Sequence, residues 1–167
     1  RGGFLVAALI CSERGDDICA LWRVLAGCLE ELVEAGIITG REASGVVVPV
    51  HLRTPQSHRD ALEGDGDSDP LSASFRVVLD EVEHVQSPER DAFLGQHRDA
   101  KRYGADVAAF FEAVSRTMVE AALAPRLGRE RAIAVADELY FTRFAGKVAE
   151  AKPEFAIKLQ TLVLEKL

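Results

Sequence analysis

Asp65, Asp67 and Asp69 alternate through EGDGDSDP with the opening spacing of a calcium-binding loop, where carboxylates at every second position converge on one cation. The rest of the loop departs from that chemistry. Pro70 stands where the sharp turn needs glycine, and Arg76 where a bidentate glutamate would close the shell, so the segment reads as a solvated acidic loop. Glu81 and His84 make one ExxH, which two-iron carboxylate bundles use twice on helices together with two further glutamates. A single copy in a segment that reads as a strand is expected to be a surface ion pair. His51, His58 and His97 add no ligand spacing. The letters GxSxG, GxxxxGK[ST] and GxGxxG are all missing, which removes the nucleophile elbow, the P-loop and the dinucleotide fingerprint. None of these patterns names a catalytic side chain or a metal ligand.

Composition narrows the field further. The chain has 167 residues, enough for one ordinary domain, and 48% hydrophobic content, enough to build a core. The formal charge of −7 is spread along an interspersed sequence without a positive stripe, so nucleic acid is not an expected partner. Cys11, Cys19 and Cys28 are odd in number, sit among apolar residues and form no CxxC, which predicts reduced thiols in a cytoplasm. No apolar run approaches the ~20 residues that cross a bilayer, and RGGFLVAALI lacks a small-residue cleavage site, so no membrane partner is expected.

The periodicity of apolar residues outlines the elements that carry these side chains. FLVAALI, after Gly2 and Gly3, is a continuous apolar run of the kind found in a strand buried on both faces. Asp16 or Asp17 can cap a helix in which Ile18, Leu21, Trp22, Leu25, Leu29 and Leu32 form the apolar stripe, with Gly36 as its stop. GVVVPV is extended, and Thr54 with Pro55 starts a helix towards Leu62. SFRVVLDEVEHV predicts a strand on Val77, Leu79 and Val82, with a slip in period near Glu81. From Ser87 to Gly104 the chain reads as polar connection. Asp106 then caps a helix whose apolar face is Phe110, Phe111, Val114 and Met118, ending near Pro125 and Gly128. A further helix carries Ile133, Ala136, Leu139, Tyr140, Phe144 and Val148 up to Pro153. The tail alternates through Ile157, Leu159, Thr161 and Val163 and is expected to be a strand.

A DNA-reading alternative presents itself in CLEELVEAGIITGREASGVVVPVHL, which resembles the last helix and wing of a winged helix-turn-helix, with REASG as the hairpin tip. Its exposed positions include Glu30, Glu31 and Glu34, which repel phosphates, and no turn divides the preceding helix in two. A non-enzymatic helical interaction domain with this winged-helix-like N-terminal portion is the second reading.

Taken in order, the segments resemble the C-terminal half of the SABATH carboxyl methyltransferases, S-adenosylmethionine enzymes that methylate small acids and, in relatives, xanthine nitrogens. ALWRVLAGCLEELVEAGII is similar to the family's IWxLLxxALxxLVxEGLI helix, VVVPVHLRTPQSHRDAL to its FNIPxYxPSPEEV segment, and SFRVVLDEVE to SFxIxxLE. DVAAFFEAVSRTMVEAALAPRLG is similar to xVAxxxRAVxEPxLxxHFG, and ELYF, a variable joint and a closing strand follow in sequence. Two departures stand out. Glu112 and Arg116 reverse the family's Arg and Glu while keeping a four-residue spacing, so an ion pair on one helical face survives the exchange. His51 replaces a tyrosine.

The resemblance implies an α/β fold, the C-terminal half of a Rossmann-like methyltransferase: about three strands of a mixed sheet with a helical cap. Residues 1–50, 72–86 and 156–167 would form the sheet with its flanking helix, and 87–152 the substrate cap. It also implies methyl transfer to the carboxylate of a small apolar or aromatic acid. S-adenosylmethionine would be held by a preceding half of the protein, and no residue of this chain is assigned to it. On the family's motif, Leu21, Trp22, His51, Phe111, Val114 and Phe155 fall on the substrate wall. FLVAALI would be left as a hydrophobic edge without that preceding half, which predicts a homodimer or other self-association.

Overall fold

The computed structural model describes residues 3–11, 17–48, 53–63 and 74–167. Asp16, His51 and the acidic loop with Asp65, Asp67 and Asp69 lie outside these. The chain is α/β and divides into two compact units, one of Arg1–Asp16, His51–Gln86 and Ala156–Leu167, the other of Asp17–Val50 and Ser87–Phe155.

The first unit is a three-stranded antiparallel sheet in the order β1-β3-β2, made by β1 (Phe4–Cys11), β2 (Phe75–Gln86) and β3 (Ala156–Lys166), with α3 (Pro55–Glu63). The C-terminal strand is therefore central, with Ala8 opposite Thr161 on one side and Asp80 opposite Leu162 on the other. All three expected strands form. The face of β3 that is fully covered, however, is Gln160, Leu162 and Leu164, whereas Ile157, Leu159, Thr161 and Val163 lie on the half-buried face. The slip in β2 occurs at Val78, between Val77 and Leu79, where the register shifts and the strand bulges. Glu81 and His84 point to opposite sides of β2, since residues three apart on a strand alternate, so they form no ExxH constellation.

FLVAALI is not buried on both faces here. Within this sheet it is an edge strand, with Phe4 69%, Leu5 50% and Val6 65% exposed, and Cys11 its one buried residue. A continuous apolar run specifies burial only when layers and a neighbouring strand are present to supply it.

A polar network marks the covered face. Gln160, fully buried, meets His58 Nδ1 at 2.7 Å, and its amide donates to Asp80 at 2.7 Å; Asp80 in turn accepts from Arg59. The Arg59 hydrogen bond holds the Asp80 carboxyl below the usual range, against a smaller opposing effect of burial.

Helices make up the second unit: α1 (Asp17–Glu34), α2 (Gly40–Ala43), α4 (Pro88–Ala92), α5 (Ala100–Leu127), α6 (Arg129–Asp137) and α7 (Ala145–Ala151). Short π-helical stretches, Phe93–His97 and Glu138–Phe144, link α4 towards α5 and α6 to α7. α1 is undivided and ends at Gly36, whose φ of 67° suits glycine, with Ile37 N–H donating back to Leu32. Thr39 then starts α2 through a capping box with Glu42, so REASG contributes to a helical turn and not to a hairpin tip.

Three expectations for this unit need correction. The segment after Ser87 is largely helical, because Ser87 caps α4, with Pro88 in its first turn. Asp99, not Asp106, caps α5, accepting from the Lys101 and Arg102 amides. Starting α5 earlier also reveals its true stripe. Tyr103, Val107, Phe111, Ser115, Val119 and Leu123, one every four residues, are buried together with Gly104 and Ala108, while Val114 and Met118 are 45% and 37% exposed. Ser115 disguises the stripe in the sequence; its hydroxyl donates to the Phe111 carbonyl at 2.6 Å and meets the Tyr140 hydroxyl at 2.7 Å. Gly104 lets α5 approach α7, since a Cβ there would lie 2.3 Å from the Ala145 carbonyl oxygen.

Candidate functional site

The apolar spacing of α1 delivers its side chains in two directions. Leu21 is fully buried, and Trp22, rotated about 100° from it by the helical repeat, is half-buried at the margin of the core. Trp22 meets Phe111 of α5 edge-on, with ring centroids 4.5 Å apart and planes at 64°. Phe111 continues the chain of rings to Phe144 at 5.1 Å and Phe155 at 5.9 Å, and Phe110 meets Phe155 at 5.1 Å. Such offset and edge contacts suit the quadrupoles of the rings and hold each in one orientation.

Beside this cluster lies a cavity of about 320 Å³, within the size range of small-molecule sites. Its wall on α1 is Trp22, Arg23, Leu25, Ala26 and Leu29; Val119 and Leu139 come from the α5 and π-helical side, and Val46 and Val48 from the extended segment after α2. Most of this surface is hydrocarbon or indole. Arg23 is the charged residue among those lining it.

Of the residues that the resemblance assigns to a substrate wall, Trp22 lines the cavity. Leu21, Phe111 and Phe155 are fully buried behind it, and Phe111 fixes the ring of Trp22. Val114 does not join them, because it projects from the exposed flank of α5. His51 lies outside the described residues. Arg23, Val46, Val48, Val119 and Leu139 join the site without any signal in the sequence that marks them for it, although Leu139 belongs to a stripe visible there.

Titratable groups near the site are settled in structural roles. Burial, reinforced by Glu31, pushes the Cys28 thiol up to about 11, which keeps it protonated and unreactive near neutral pH. Glu31 accepts from Lys147 at 2.5 Å and lies 3.5 Å from Arg143, so it is not a free anion on the α1 surface. The reversed pair on α5 closes, Arg116 to Glu112 at 3.2 Å, and Arg116 also meets Asp137 at 2.8 Å. Among the described residues no group of three or more His, Cys, Asp or Glu side chains could hold a metal ion, and no helix is long and apolar enough to cross a membrane.

No protein-family model matches the chain, and no curated protein matches it.

Proposed function

We propose that this chain is the acceptor-binding part of a SABATH-like, S-adenosylmethionine-dependent methyltransferase that esterifies the carboxylate of a small apolar or aromatic acid. The observation that carries the reading is the position of Trp22. The residue that falls on the family's substrate wall borders an apolar cavity and is braced from behind by Phe111, itself on that wall. Supporting it, β1 and β2 run in the same direction on either side of the antiparallel β3; both pairings are antiparallel, and the parallel pairings of a mixed Rossmann-like sheet would fall to strands outside this chain. The exposed apolar residues of β1 are what such a sheet would cover with further strands and helices.

On this reading the cofactor's site falls to residues outside this chain. When bound, the cofactor supplies an electrophilic methyl group. What the residues of this chain contribute is orientation and dryness. A carboxylate is ionised near neutral pH and needs no base, so the demand is to hold it in one place with little water around it. Trp22, Leu25, Leu29 and Leu139 offer the hydrocarbon surface for the body of the acid.

The test is methyl transfer from labelled S-adenosylmethionine by the full-length protein to a panel of aromatic and aliphatic acids. At least one acid should be methylated, and Trp22→Ala should lower its kcat/KM by about tenfold or more. Failure with every acid removes the methyltransferase reading, and unchanged kinetics in the variant removes Trp22 from the pocket.

A further inference from the structure

We infer that Arg23 is the anion anchor of the Trp22 cavity, selecting a ligand with a carboxylate at one end and an apolar body that lies against Trp22, Leu25, Leu29 and Leu139. The proposal rests on the reading that this cavity receives the acid, and adds the residue that distinguishes an acid from its neutral analogues.

Three observations carry it. Among the described residues Arg23 is the charged side chain in a mostly apolar lining, so a ligand's anionic end finds a full positive charge there. Arg23 also has no carboxylate of its own among the described residues. Arg59, Arg76, Arg102, Arg116 and Arg143 are each paired with an aspartate or glutamate, whereas Arg41, Arg53, Arg90, Arg98, Arg126, Arg129 and Arg131 share Arg23's lack of one among the described residues but do not line the cavity. A guanidinium placed in this way at the wall of an apolar cavity is available for the planar, hydrogen-bonded recognition that arginine gives carboxylates.

The third observation fixes polarity. Glu30 and Glu34 border the adjoining depression that shares Ala26, Leu29 and Val46 with the cavity. Glu30 is seven residues beyond Arg23 on α1, about 10 Å along the helix axis. A carboxylate is attracted at the Arg23 end and repelled at the Glu30 and Glu34 end, so an acid enters in one orientation.

Isothermal titration calorimetry reports occupancy of the cavity without any turnover. The full-length protein is titrated with cyclohexylacetate and with its uncharged isostere cyclohexylacetamide. Both should give saturable changes, the acid binding about threefold to tenfold more tightly. Arg23→Gln should remove that preference while leaving amide binding and the circular dichroism spectrum unchanged, and Arg23→Lys should retain part of it. Equal affinity for acid and amide in the unaltered protein, an acid preference that survives Arg23→Gln, or no saturable change with either compound would each overturn the proposal. Acid-selective binding without methyl transfer to any acid would remove the methyltransferase reading and leave Arg23 as the anchor.

Discussion

Trp22 and Phe111 meet edge to face, 4.5 Å between centroids, one ring at the border of a cavity and the other wholly inside the core. A wall residue supported in this way cannot turn without disturbing α5. Phe111→Ala should destabilise the protein by about 3–5 kcal/mol, as large aromatic truncations in cores do. Trp22→Ala, starting half-exposed, should cost about 1–3 kcal/mol. A double-mutant cycle by denaturant unfolding should give a coupling of about 0.5–1.5 kcal/mol, and strict additivity would show that the ring contact contributes nothing.

Gly104 is where α5 packs against α7, and a methyl group added to it would lie 2.3 Å from the Ala145 carbonyl oxygen. Alanine is the better helix former by roughly 1 kcal/mol in isolation. Here the clash with backbone should outweigh that gain, and Gly104→Ala should lower the thermal midpoint. The same change at Gly27, where a methyl would meet nothing within 4 Å, should raise it or leave it unchanged.

Asp80 supplies a pH dependence with a defined sign. Its carboxyl is held below its ordinary value by the Arg59 hydrogen bond, so the folded state binds a proton less readily than the unfolded chain. The resulting stabilisation is fully present above the unfolded pKa of about 4 and is lost as pH falls through the folded pKa. Asp80→Asn should flatten the acid limb of the stability curve measured by urea unfolding. An unchanged limb would exclude Asp80 as its source.

Arg116 sits at the centre of three carboxylates, Glu112, Glu120 and Asp137, with its side chain 22% exposed. Burial opposes the Arg116 charge, but the hydrogen bonds to these partners outweigh it and raise its pKa. Arg116→Met should therefore cost about 1–3 kcal/mol by leaving like charges together and hydrogen bonds unmade. Arg102→Met breaks a 3.8 Å pair whose side chains are 62% and 41% exposed, and should change stability by less than about 1 kcal/mol.

The apolar edge of β1 should make this chain self-associate as concentration rises. Placing lysines at Val6 and Ile10, which are 65% and 44% exposed, should shift sedimentation velocity profiles towards the monomer. Profiles that do not change would exclude β1 as the contact.

Much of the secondary structure is legible in the sequence because it is written in local periodicity. The α1 stripe and the alternating C-terminal strand follow from the steps at which apolar residues recur, while the stop at Gly36 and the helix start at Pro55 follow from the residue types that end and begin helices. The face of α5 is harder to read, because Ser115 occupies a core position through hydrogen bonds to Phe111 and Tyr140, and no periodicity of apolar letters contains that. The segment after Ser87 is obscure for the opposite reason: its helix is set by caps and a proline, with little apolar pattern to reveal it.

By itself the sequence determined that the chain alternates strands and helices and that Trp22 lies on an apolar helical stripe, since both depend on neighbours within a few residues. Which side of Trp22 is core and which is cavity depends on Phe111, Val119, Leu139, Val46 and Val48, brought together from distant parts of the chain. The same holds for Arg23. Its charge is plain in the letters, but its place at an apolar wall, with no carboxylate partner among the described residues, is a property of packing, which only the tertiary structure decides.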